Sequence, residues 1–101
     1  MVVIRNVFRL KFGKAREAVA LFKESIAIQK RVGAGMNFST RLLTDLTGPF
    51  YTVVLEITVP DLATFQAEAP KLMGDKEWHA VYDKITPLVE SGSREMFTIV
   101  E

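Results

Sequence analysis

One histidine, one tryptophan, two tyrosines and no cysteine are the sparse chemical inventory of this chain. Without thiols, disulfide stapling, thiolate zinc sites and thiol nucleophiles are excluded together. A lone imidazole with no cysteine beside it does not make a transition-metal ligand set. No Ser-His-Asp arrangement, phosphate-binding glycine loop or metal-ligand spacing occurs, so neither a metal nor another cofactor is expected. His79 aligns with Asp83, Thr86 and Glu90 on the polar side of a helical pattern. That placement reads as a solvated histidine with a local Asp83 interaction rather than as an acid–base catalyst. Asp45, Asp61 and Asp75 stand where turns and helix caps need a short carboxylate.

Two constellations remain. The first is Arg5, Arg9, Arg41 and Glu56, all on one side of alternating segments. If that side is covered, each charge must be paired, because an uncompensated buried charge is costly. The set is then either an internal ion-pair network or a holder for a small anion, whose oxygens suit the forked donors of arginine. The second is Asn6 with the aromatic residues Phe22, Phe65, Trp78 and Tyr82. Asn6 interrupts an apolar face, where an unpaired amide costs ~1–3 kcal/mol. It must therefore bond backbone or helix-end groups beneath a sheet, or line a cleft that the aromatics could wall. Aromatics at helical spacing are more often plain core.

The elements that position these residues follow from the hydrophobic period. Val2–Phe12 alternates, with Ile4, Phe8, Leu10 and Phe12 on the Asn6 side and Arg5, Val7, Arg9 and Lys11 opposite; Gly13 ends this strand. From Lys14 the period becomes helical, with Ala18, Val19, Phe22 and Ile26 beside a second stripe of Leu21, Ser25, Ile28 and Val32. Gly33 and Gly35, which tolerate positive φ, are expected to stop the helix. Met36–Thr44 and Phe50–Val59 read as two strands joined by the turn residues Asp45 to Pro49, hence an antiparallel hairpin. Asp61 opens a short helix that Pro70 and Gly74 should break, and a further helix from Asp75 should kink at Pro87. Ser91-Gly92-Ser93 is expected to end that helix, leaving Arg94–Val100 as the last strand.

The 101 residues suit one domain, 1–101, with 49% hydrophobic and 25% charged residues as in ordinary globular chains. Thirteen basic against 12 acidic residues, a net +1, give no electrostatic reason to bind nucleic acid. Arg5 and Arg9 interrupt the apolar start too early for a signal-peptide core, and no stretch approaches the ~20 apolar residues of a membrane span. A soluble cytoplasmic protein, binding neither nucleic acid nor membrane, is the expectation. The order β-α-β-β-α-β predicts a ferredoxin-like α+β fold, a four-stranded antiparallel sheet with its helices on one face. Two helical blocks cover only that face. The other carries Arg5, Val7, Arg9, Thr52, Val54, Glu56 and Arg41, and a second copy of the chain in a symmetric homodimer would cover it.

Phe12-Gly13-Lys14, Thr47-Gly48-Pro49-Phe50 and the run from Pro87 to Glu95 carry a resemblance to the dimeric α+β barrel superfamily, and within it to the NIPSNAP-like small proteins. These signals span nearly the full length, and each is a turn or cap signal rather than a catalytic one. The resemblance implies a homodimer whose two sheets close a barrel, with a small organic ligand as possible cargo. Relatives include cofactor-independent monooxygenases, haem-degrading enzymes, muconolactone-type isomerases and stress proteins. The resemblance therefore leaves three readings open: a ligand-binding homodimer of unassigned role, a cofactor-independent monooxygenase or isomerase acting on an aromatic small molecule, and a structural or stress-related dimer without ligand. The haem-degrading branch uses an asparagine, a tryptophan and a histidine. Here Asn6 matches the first, while Phe65 and Tyr82 stand at the other two positions, which disfavours haem degradation.

Overall fold

The computed structural model describes residues 1–33 and 37–101. Its elements are β1 (Val2–Leu10), α1 (Ala15–Val32), β2 (Ser39–Thr44), β3 (Thr52–Val59), α2 (Leu62–Met73), α3 (Lys76–Ile85) and β4 (Val89–Thr98), with a 3₁₀ turn over Thr86–Leu88. The strands form one antiparallel sheet in the order β2-β3-β1-β4. This is the ferredoxin-like arrangement, with the second helical block divided into α2 and α3. The Cα extents, 36 × 34 × 17 Å, describe a slab whose short dimension accommodates one sheet and one helical layer.

Strict alternation decides which strand residues face the helices. Ile4, Leu10, Val53, Leu55, Ile57 and Val59 are buried there. Leu10 and Val53 join Ala18, Phe22 and Ile28 of α1 and Val81, Ile85 and Leu88 in one core cluster. Ile4, Leu55, Ile57 and Val59 form a second, with Ile26 and Phe65 packed against it. Ser25, a polar residue inside the apolar stripe of α1, is buried because its hydroxyl donates to the Phe22 carbonyl at 2.8 Å.

Several boundaries differ from the sequence expectation. β1 stops at Leu10 rather than Phe12, where a register shift follows Arg9 and Gly13 turns the chain at φ +79°. Gly33 closes α1 at φ −93°, so its left-handed freedom is not used; Gly35 and the expected strand start at Met36 lie outside the described residues. Pro70 does not break α2 but sits in its last turn. The carbonyl it leaves unpaired belongs to exposed Gln66, where water can replace the lost donor. Pro87 ends α3 rather than kinking it: the chain tightens into the 3₁₀ turn and enters β4 at once. Ser91-Gly92-Ser93 is therefore strand, not helix end. Arg9 pairs with Ser91, Phe8 with Gly92 and Val7 with Ser93, so ladder pairing overrides the poor β propensity of Ser and Gly. Gly92 suits its place, since a Cβ there would come within 3.2 Å of the Phe8 ring.

The two predicted caps are formed. Asp61 accepts from the Thr64 amide at 2.7 Å and Asp75 from the Trp78 amide at 3.0 Å. Each amide bond favours the ionised carboxylate and holds its pKa below the ordinary aspartate value; Arg31 reinforces the effect at Asp75. A depressed folded-state pKa adds stability above the unfolded value and loses it as pH falls through the folded one. Asp75→Asn should keep the cap but lose this dependence, narrowing the gap between urea midpoints at neutral and strongly acid pH. An unchanged gap would remove Asp75 from the acid response.

Candidate functional site

The sheet face turned away from the helices is an ordered array of charge. Arg41 of β2 pairs with Glu56 of β3, Glu56 with Arg5 of β1, and Arg5 with Glu95 of β4. One row across all four strands thus alternates cation and anion, the arrangement cross-strand neighbours favour. Arg41 donates to Glu56 through Nε at 2.9 Å and also through Nη2. Arg5 Nε stands 3.8 Å from the other Glu56 oxygen. Beside this row lie Leu43, Val54 and Val7, and beyond them Arg9 between Thr52 and Ser91. All four sequence candidates for this face therefore share it. Nε of Arg5 and Nε of Arg9 are buried and make no hydrogen bond among the described residues, an arrangement native proteins seldom leave uncompensated.

On the helix face Asn6 makes no hydrogen bond to backbone or to a helix end among the described residues. Its Oδ1 accepts from Arg94 Nε at 2.7 Å, across the β1–β4 pair, which leaves the amide NH₂ for another acceptor. Phe22 is core, 3% exposed and 5.1 Å from the Phe8 ring. Phe65 packs on the second core cluster. Trp78 stacks on Tyr82 with centroids 5.0 Å apart, and Tyr82 is exposed. The five candidates are thus spread over β1, α1, α2 and α3, and neither of the two grooves described for the chain is lined by any of them. His79 is exposed, with its ring against Trp78; no hydrogen bond among the described residues joins it to Asp83. Among the described residues no three His, Asp or Glu side chains cluster as a metal site would require, and no helix is long and apolar enough to cross a membrane.

Arg94 and Glu95 escaped the sequence reading as site residues. Alternation along β4 separates their faces, but only the register with β1 reveals Asn6 and Arg5 as their neighbours.

No family model matches the chain, and no curated protein matches it. Solved structures do, over nearly its whole length. An uncharacterized NIPSNAP domain protein from Burkholderia xenovorans superposes with a TM-score of 0.86 at 20% identity, covering 99% of this chain and 95% of that one. A NIPSNAP family protein from Agrobacterium tumefaciens also gives 0.86, at 24% identity, covering 99% and 93%. The chain has the NIPSNAP fold. SnoaB, a cofactor-independent oxygenase from Streptomyces nogalater, is more distant, with a TM-score of 0.73 at 17% identity over 99% of this chain and 93% of its own. The NIPSNAP fold thus shares its ferredoxin-like frame with an oxygenase, and at such identities the likeness speaks for the frame and not for chemistry.

Proposed function

We propose that this chain works as a cytoplasmic homodimer, its two sheets packed face to face into an α+β barrel, and that the assembly binds a small organic ligand. The observation that carries this reading is the row Arg41–Glu56–Arg5–Glu95, with Nε atoms of Arg5 and Arg9 that are buried and make no hydrogen bond among the described residues. On a plain solvated sheet face those Nε atoms would reach water, whereas here they lie buried although the Arg5 and Arg41 side chains keep 38% and 69% exposure. The row itself has no net charge, so of the cations on this face only Arg9 would need an anion from the partner or from a bound ligand when a second copy covers it. The half-buried Leu43 and Val7, on either side of an already buried Val54, leave apolar surface for that partner to cover. Sedimentation equilibrium should return twice the 11.4 kDa protomer mass, and Leu43→Asp, at a half-buried position on the same face, should shift it to one. A wild-type monomer at micromolar concentration would end the barrel reading. Cell fractionation tests the cytoplasmic expectation.

A second reading, a cofactor-independent monooxygenase or isomerase acting on an aromatic molecule, is favoured by the Asn6–Arg94 pair. The pair offers an amide and a guanidinium on the helix face, groups able to hold a developing oxyanion. Oxygen uptake with a hydroquinone or anthrone substrate, abolished in Asn6→Ala, would support an oxygenase; a dimer inert to such substrates and to every small organic ligand would point to a structural or stress-related role.

A further inference from the structure

A groove of about 840 Å³ lies between the first half of α1 and the β2–β3 hairpin, a size within the ~300–1,000 Å³ of ligand sites. We propose that it binds a flat aromatic carboxylate. Phe12, Phe50 and Tyr51 line it opposite Val19. Phe12 and Phe50 are 74% and 69% exposed, an unusual display of two phenyl rings beside one concavity. Tyr51 meets Phe12 edge-on at 4.9 Å and holds φ +60°, a left-handed backbone that is costly for an aromatic residue. The hairpin enforces it: Tyr51 O accepts from Leu10 N at 2.8 Å, Thr52 N donates to Asp45 Oδ1 at 3.0 Å, and Thr52 Oγ1 donates to the Pro49 carbonyl at 2.8 Å. The chain thus maintains strain at the residue that sets the ring in the groove.

The charges around the groove select the other half of the ligand. Arg16 and Lys23 stand seven residues apart on the α1 stripe that lines it, two turns along one helix face. Neither makes an ion pair or a side-chain hydrogen bond among the described residues, whereas Arg31, Arg41 and Lys71 all do. The acidic residue of the lining, Asp45, is engaged by the Thr52 amide. No side chain caps the first turn of α1, whose free N–H groups add positive potential at the same end. Ring faces for an aromatic body and two unpaired cations for a carboxylate therefore converge on one space. An aliphatic acid would leave the ring faces unused, and a neutral arene would leave the cations unused.

This site deepens the ligand-binding reading given above but stands apart from the sheet face, so binding here and dimerisation can fail separately. Titration calorimetry with naphthoate, naphthylmethanol and decanoate tests it, with sedimentation run in parallel to report association alone. Naphthoate should bind saturably and at least about tenfold more tightly than the neutral alcohol, the least that a charge-assisted contact contributes. The surface double variant Arg16→Gln/Lys23→Gln and the single variant Phe50→Ala should each weaken naphthoate by about tenfold or more, with sedimentation unchanged. Absence of saturable naphthoate binding, equal affinity for the alcohol, tighter binding of decanoate, or a double variant that binds as wild type does would each overturn the proposal. The ligand comparisons use the unmodified protein, so they decide the matter even if a variant fails to fold.

Discussion

Phe22→Ala should lower the unfolding free energy by about 3–5 kcal/mol, measured by urea denaturation at neutral pH. The ring is 3% exposed and tilted at 39° against Phe8. It belongs to the cluster where α1, β1, β3 and α3 meet, with Leu10, Val53, Val81, Ile85 and Leu88 around it. Removing it opens a cavity that three elements would have to shift together to fill. Small domains are stable by only about 5–15 kcal/mol, so the variant should be marginal at room temperature. The result bears on function because Phe22 is also a candidate ligand wall. If it is core, its loss collapses stability, while Tyr82→Ala, at a side chain 48% exposed, should cost under about 1 kcal/mol. A loss below about 1 kcal/mol at Phe22 would mean that the ring faces space rather than packed neighbours.

Glu56→Gln is the second large effect. Its carboxylate, 11% exposed, is the anion between Arg5 and Arg41, which are 38% and 69% exposed. The substitution keeps shape but leaves two guanidinium groups facing a neutral amide. Hydrogen bonds to charged groups contribute about 1.5–3 kcal/mol, and the exposure of both arginines puts the protomer loss at the lower end, about 1.5 kcal/mol. If the face is covered by a second copy, the unbalanced cations are desolvated at the interface as well, and the dimer dissociation constant should rise by about tenfold or more. Glu95→Gln, at the exposed end of the row on the edge strand, should change both quantities less. Unaltered sedimentation and an unaltered urea midpoint in Glu56→Gln would show that the row has no part in assembly.

Range of contact along the chain separates the features that sequence reveals from those it hides. The alternation over β1 and β3 separated Ile4 and Leu10 from Arg5 and Arg9 correctly, because a pleated strand has a period of two whatever it packs against. Asp61 and Asp75 were legible as caps because a cap is a contact three residues long. Glu90 to Ser93 carry no strand signal in their composition, and the β1 residues that pair with this part of β4 lie some 80 positions away in the chain. Asn6 was recognisable as a polar residue needing a partner, yet Arg94, 88 residues distant, could be found only through the sheet register. The groove under Phe12 and Phe50 went unseen for a similar reason: their exposure follows from where the β1–α1 turn and the hairpin meet.

By itself, then, the sequence determined the order of elements, the two faces of the first three strands and the helix starts, all of which arise from interactions within one or two turns of chain. The tertiary structure alone decided that Arg41, Glu56, Arg5 and Glu95 stand in one row, that Phe22 is core, and that Arg16 and Lys23 border an aromatic groove. Those outcomes depend on contacts between distant segments, whose alignment is set by the packing of the whole sheet and helix layer rather than by any local preference.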